Sequence, residues 1–349
     1  MTRPPAPPRR PLAPSAAVIV ATALVACAPA ATAPPQSAQS PAPPAAEYAL
    51  DTPRGSAPTY APAPTPTPAY APAPTYAPAP ARPMLGPLFG PPMWQAEVRA
   101  VIAELTANLS PTFQARVANV PLVFDPDPNN VNAFAGCTNS GTPFLASTEG
   151  LLEAIDGIAQ TKASDEMFGT HAYEAYVNLV APRLVAQSGG SAMLVAGIVP
   201  PQYLIDPRRI SRAHEIFDET VAFTFGHELA HHYMGHTGCA NGKADGLAPA
   251  VAQLGQLVTS VMPAMNQPNE VVADTQGLVN TLDAGRARST RAYAWTEGGA
   301  LALMDFFARL DQASGASAWV AFLRTHPNSA LRIPVVQATA ATWRFQHPG

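Results

Sequence analysis

Lysine is nearly missing from this chain: Lys162 and Lys243 are the only two in 349 residues, and all charged residues together make up 13%. Affinity for nucleic acid comes largely from Lys and Arg neutralising phosphates. A formal charge of −4 with no basic stripe therefore argues against that class of partner. Long apolar runs are also missing. The run from Ser15 to Ala26 would rise about 18 Å as a helix, well short of a hydrocarbon core roughly 30 Å thick. It does not make a permanent transmembrane anchor. Proline is scarce in one part only. Of 41 prolines, 26 lie in residues 1–92 and 15 in the remaining 257. No packed core holds the first density, because each proline removes a backbone donor and fixes φ. The chain thus reads as a head (1–27), a proline-rich spacer (28–92) and one body of single-domain size (93–349).

The head has the marks of an export signal. Arg3, Arg9 and Arg10 precede the short apolar run. Leu24-Val25-Ala26-Cys27 resembles the bacterial lipobox, in which the cysteine is acylated and becomes the new N-terminus; the alternative is a plain signal peptide with an incidental cysteine. Ala28 beside it is what that resemblance associates with outer-membrane sorting. Removing residues 1–26 leaves 17 basic and 24 acidic residues, a net charge of −7. An acidic body is not drawn to anionic lipid, so the lipid would carry the membrane association. The spacer repeats a Tyr-Ala-Pro-Ala-Pro-Thr unit from Tyr60, with related copies from Tyr70 and Tyr76. Such alternation favours polyproline II, about 200 Å for the whole spacer if straight. It is either a tether whose length matters or a solvated stalk. With Cys27 assigned to lipid, Cys137 and Cys239 remain as an even pair in an oxidising compartment. A disulfide is the favoured reading and two buried thiols the alternative.

The body reads as α+β and mainly α-helical. Trp94 to Leu109 has helical apolar spacing, with Val98, Val101, Ile102 and Leu105 in phase. Val120–Phe124 and Thr142–Ser147 read as short strands, and Thr148 as the N-cap of a helix through Ile158. Later helices are expected at 172–187, 211–236, 268–284, 290–313 and 316–324, while 163–207 is the least readable block. Leu247 to Met265 is apolar, but Pro249, Pro263, Gln253, Gln256 and Gly255 make membrane insertion a poor reading. It reads as a core helix or as a lid beside the cleft.

The chemistry sits at His227-Glu228-Leu229-Ala230-His231. Positions i and i+4 share a helical face, so both imidazoles can point at one ion, and Glu228 is placed to take a proton from a metal-held water. This HExxH arrangement serves zinc hydrolysis of peptides. Val221, Phe223, Phe225, Leu229 and Ala230 make the helix strongly apolar, so burying two histidines and a glutamate on it would be costly unless something binds them. A catalytic zinc needs a third protein ligand. Glu270 is the best candidate, with Asp274 four residues on to accept a ligand histidine's outer N–H.

Four ordered blocks then carry a family resemblance. They are Asn132-Ala133-Phe134-Ala135 with Gly150-Leu151-Leu152; His227 to His231 with His236; Glu270, Ala273, Asp274 and Gly277; and Thr325-His326-Pro327 with Arg332-Ile333. Together they resemble the gluzincin metallopeptidases of the HtpX and CAAX prenyl protease family, in its soluble bacterial lipoprotein branch. The resemblance implies a gluzincin-type domain with a small β-sheet packed on the HExxH helix. It implies one Zn2+ per chain held by His227, His231 and Glu270, with Glu228 as general base and Asp274 orienting a ligand histidine. His326 would either stabilise the reaction's transition state or occupy the fourth zinc position at rest, unless it merely caps a helix before Pro327. Arg332 would pair with a buried carboxylate. The implied substrate is an unfolded or extended polypeptide of the bacterial cell envelope, lying along the Thr142–Ser147 strand taken as a sheet edge. The chain would be lipid-anchored to the outer membrane and face the periplasm, with no protein partner identified. A catalytically weak zinc-binding or chaperone-like lipoprotein is the alternative; the intact Glu228 argues against it. The chain departs from the family pattern at Gly136-Cys137-Thr138-Asn139-Ser140-Gly141, where a Pro-Gly-Gly-like turn is usual, and in an apparent insertion around 160–210. A Cys137–Cys239 bridge would pin the substrate-side loop to the catalytic helix.

Overall fold

A computed structural model describes residues 88, 90–186, 191–240, 267–288, 294–314, 326 and 329–348. The leader with Cys27, nearly all of the spacer, the apolar stretch 247–265 and the helix expected at 316–324 lie outside the described residues. Among the described residues the elements run α1 (Pro91–Ala107), α2 (Pro111–Val117), β1 (Leu122–Asp125), β2 (Ala133–Cys137), β3 (Pro143–Thr148), α3 (Glu149–Phe168), α4 (Ala172–Val185), α5 (Pro201–Leu204), α6 (Pro207–Tyr233), α7 (Gln267–Ala287), α8 (Gly298–Ser314) and α9 (Ser329–Gln346). None of these helices is long and apolar enough to cross a membrane.

The architecture is helical with one three-stranded sheet of order β1-β3-β2. β1 pairs with β3 in parallel and β2 pairs with β3 antiparallel, Ala135 opposite Leu145. The Thr142–Ser147 segment is therefore the central strand and not the edge expected of it. Its backbone is taken on both sides, and the edge next to the catalytic helix is β2.

Helix α6 is the axis of the domain. Every residue from Glu219 to Tyr233 is buried, the pattern of a helix covered all round. Asp206 caps its start by accepting from the Arg208 N–H, and Pro207 supplies a first-turn residue needing no donor. Helices α1, α2, α3, α7 and α8 and the sheet pack around it. The crossing with α7 is the tightest feature near the site. A Cβ on Gly277 would lie 2.6 Å from the His227 nitrogen, and one on Gly226 would lie 2.8 Å from the Gly277 carbonyl oxygen. Only two glycines let these backbones touch.

Several element bounds differ from the sequence expectations. Helix α3 continues ten residues past Ile158, and Gly169 in the left-handed region closes it. Its second half buries Gln160, Thr161 and Ser164, polar residues that break the apolar rhythm. Thr161 donates to the Gly157 carbonyl at 2.6 Å and Gln160 donates to Asp156 at 2.6 Å, so they are satisfied within the helix. Helix α8 starts at Gly298 and not at 290; residues 294–297 precede it, and the Thr296 N–H and hydroxyl are held by the buried Glu219 carboxylate. Three further helices, α2, the short α5 and α9, were not anticipated as elements. Helix α2 carries its signal in Ser110-Pro111, an N-cap followed by proline.

Candidate metal centre

Three segments bring four polar residues to one buried point. His227 and His231, one turn apart on α6, face Glu270 from the first turn of α7, and His326 closes the group. One donor atom from each lies within 4.8 Å of all the others. All four residues are buried, none more than 4% exposed.

The separations suit a single small cation. His227 Nε2 lies 3.0 Å from His231 Nε2, and Glu270 lies 3.5 Å from the first and 3.3 Å from the second. His326 Nδ1 is 2.9 Å from Glu270 Oε2 and 3.3 Å from His227 Nε2. Zinc–nitrogen bonds of about 2.1 Å at tetrahedral angles put neighbouring donors about 3.4 Å apart. The chemistry of the donors agrees. Glu270 Oε1 is buried without a hydrogen-bond partner among the described residues. It faces His231 Nε2, whose ring has its other nitrogen engaged elsewhere. Lone pairs converging in a buried space are stabilised by a cation and by little else.

The surrounding charges prepare the ligands. Burial pushes the His227 imidazole down, but Asp274 and Glu270 beside it more than offset this and carry it up to about 9. Its site is thus one that favours positive charge. Burial holds His231 down to about 3, so it is neutral at physiological pH. Burial pushes the Glu270 carboxyl up, yet the adjoining histidines hold it far below the usual carboxylate range. A neutral imidazole and an ionised carboxylate are the forms that ligate.

Asp274, one turn after Glu270, meets the outer nitrogen of His227 at 3.0 Å. Arg332 of α9 donates to both Asp274 oxygens, at 2.6 and 2.7 Å, and its third nitrogen lies 3.2 Å from Glu270. The ring of His227 is therefore fixed through a carboxylate–guanidinium pair. Glu228 points away from α6 to the sheet and accepts from the Ala135 N–H of β2 at 2.7 Å; burial pushes its carboxyl above the ordinary value. His326 Nε2 lies 3.3 Å from both Glu228 Oε1 and the Ala133 carbonyl oxygen.

Apart from the cysteine pair, every candidate site residue within the body is thus in one cluster or in contact with it. Cys137 and Cys239 are joined by a disulfide with Cα atoms 6.1 Å apart, linking the end of β2 to the turn after α6. Three features were not read from the sequence. The Ala135 N–H holds Glu228, a backbone role that no residue type announces. His232 bonds the Phe144 carbonyl at 2.9 Å and ties the central strand to the catalytic helix. His236 sits 3.0 Å from His231; its place in the motif was visible but no role followed from it.

A helix giving two imidazoles and the adjacent glutamate, with a third ligand carboxylate from a second helix, defines a gluzincin-type metallopeptidase site. The chain belongs to peptidase family M48, whose family model matches residues 92–340. That places it among zinc-dependent peptidases, and the buried four-residue cluster is one that could bind a metal. No curated protein and no solved structure matches the chain.

Proposed function

We propose that this chain is a zinc endopeptidase of the bacterial cell envelope. It would be lipid-anchored through Cys27 to the outer membrane, face the periplasm, and cleave unfolded or misassembled polypeptides. The observation that carries the catalytic part is Glu228, buried, held by the edge strand and 3.3 Å from His326 of the four-residue cluster. When bound, zinc polarises the peptide carbonyl and lowers the pKa of a water. His227, His231 and Glu270 would hold the ion, and Asp274 with Arg332 would keep His227 in its orientation. Glu228 accepts the proton of the attacking water and passes it to the leaving amine. A carboxylate raised by burial suits both halves of that transfer.

The substrate strand belongs on β2, the edge beside Glu228, since β3 has no free side. Strand addition reads backbone without demanding a sequence, which fits a substrate recognised by being unfolded. An added strand would compete for the Ala135 N–H and the Ala133 carbonyl, groups now engaged by Glu228 and His326. His326 in this reading is the resting fourth ligand and withdraws on substrate entry. The envelope address rests on the lipobox-like Leu24 to Cys27 and on the spacer.

The test uses the zinc-loaded mature chain on an unfolded reporter protein, beside Glu228→Gln with zinc content measured for each. Loss of the proton acceptor is expected to slow cleavage by about 10²- to 10⁴-fold with zinc retained. Cleavage by Glu228→Gln at the parent rate would overturn the mechanism. Should the parent be inactive, His326→Ala is expected to cleave; zinc-loaded His326→Ala without cleavage would overturn the peptidase reading.

A further inference from the structure

The two zinc imidazoles are supported differently, and the difference originates in how α6 ends. The helix is capped at Met234, after which Gly235 takes φ 84°. The Gly235 N–H donates to the His232 carbonyl at 3.0 Å and the His236 N–H donates to the His231 carbonyl at 2.9 Å. These are the two bonds of a Schellman turn, in which a left-handed glycine folds the chain back over the last helical turn. The fold-back sets the His236 side chain on His231, with the two Nδ1 atoms 3.0 Å apart and the rings inclined at 65°. That inclination excludes stacking and suits an N–H pointing at a ring nitrogen. The turn is fastened at its far end as well. Thr237 bonds His232, and Cys239 is joined to Cys137 of β2.

Zinc binding through Nε2 decides which His231 nitrogen holds the proton. His231 Nε2 faces His227 Nε2 and Glu270, so as a ligand atom it must be bare. The His231 proton then sits on Nδ1, and His236 Nδ1 accepts it. Asp274 does the corresponding work for His227, with Arg332 behind it.

We infer that His236 is a positioning residue for the zinc ligand His231: its Nδ1 accepts the outer N–H of that imidazole, locking tautomer and ring orientation, through a helix-capping turn that Gly235 makes possible. This deepens the metallopeptidase reading and rests on His231 binding zinc. It explains why a histidine five residues after His231 belongs with the HExxH helix though it binds no metal itself.

The experiment measures the zinc dissociation constant of the full chain by competition with a chromophoric chelator. Parent, His236→Ala, His236→Asn and His236→Asp are compared, each with its apo unfolding midpoint. Removing an outer partner of a ligand histidine weakens metal binding by about 10- to 100-fold, which is the expectation for His236→Ala. The Asn Oδ1 stands where the His Nδ1 stood, so His236→Asn is expected to bind zinc close to parent. His236→Asp supplies an anionic acceptor and is expected to bind more tightly than His236→Asn. His236→Ala within twofold of parent, or His236→Asn as weak as His236→Ala, overturns the assignment. If His236→Ala does not fold, equal affinity of the Asn and Asp variants overturns it. A parent chain that takes up no zinc instead refutes the metal reading on which the assignment rests.

Discussion

The contact of α7 with the His227 turn of α6 offers a direct probe of how the fold sets metal affinity. Gly277 lies two turns after Glu270 on α7, against the α6 backbone at Gly226 and His227. An added Cβ at Gly277 would meet His227 N at 2.6 Å, Gly226 C at 2.7 Å and His227 Cα at 2.8 Å. All three are backbone atoms, so no side chain can rotate away. Comfortable carbon contacts begin at about 3.5 Å, so Gly277→Ala must part the helices by about 0.7 Å or more. Glu270 and Asp274 ride on α7 while His227 and His231 ride on α6. Metal–ligand distances tolerate only about 0.2 Å, so the separation falls directly on the donor set. Overpacking costs about 1–3 kcal/mol, and replacing a helical glycine by alanine returns about 1 kcal/mol. The expected loss of stability in the zinc-free chain is thus about 0–2 kcal/mol, while zinc affinity drops at least about tenfold. Gly285→Ala is the control. Its Cβ would meet the Trp295 carbonyl oxygen at 2.6 Å, an equally hard backbone clash more than two turns beyond Gly277. Chelator competition and urea midpoints on both variants separate packing from ligation. Unchanged zinc affinity in Gly277→Ala, or an equal loss in Gly285→Ala, would refute the claim that this crossing sets the metal geometry.

Two further outcomes concern stability. Replacing both Cys137 and Cys239 by Ser opens a loop whose ends are 102 residues apart in sequence; a closed loop of that size stabilises by about 2–4 kcal/mol, so the unfolding free energy of the zinc-free variant in urea should be lower by that amount, and a difference below about 0.5 kcal/mol would contradict the expectation. Asp156 of α3 is buried and accepts from the Leu88 N–H and Gln160. Burial pushes its carboxyl from 3.8 up to about 7, against those hydrogen bonds. The folded chain therefore binds more protons than the unfolded one between about pH 4 and 7. The stability this group contributes is full at the acid end and is lost as pH rises through that window, by about 4 kcal/mol in all. Asp156→Asn keeps an acceptor for Leu88 and cannot ionise, so the gain in unfolding free energy over parent should be larger at pH 8 than at pH 5; an equal difference at both would count against the shifted carboxyl.

The metal site was more legible in the sequence than the fold that holds it. His227 and His231 are placed by the period of one helix, and Glu270 with Asp274 by the period of another, so spacing alone brings each pair to one face; Glu228 is found by its place directly after His227. The joins between elements leave weaker traces. Strand order was not readable: β3 is as apolar as an edge strand that packs on a helix, and only pairing on both sides makes it central. The second half of α3 was lost because its buried face is polar and satisfied internally. The backbone donor at Ala135 has no sequence signature at all. Yet two glycines to which the sequence assigned no role of their own, Gly277 within a family block and Gly235 outside any, turn out to have positions of consequence. Gly277 stands where α7 touches the catalytic helix, and Gly235 stands where that helix folds back. In both cases a glycine next to a ligand-bearing turn sets how closely another polar residue can approach the metal. The ligands themselves could be placed on many helices; the approach of α7 and the fold-back at 235 are what give these imidazoles one carboxylate, two outer partners and a proton acceptor within reach.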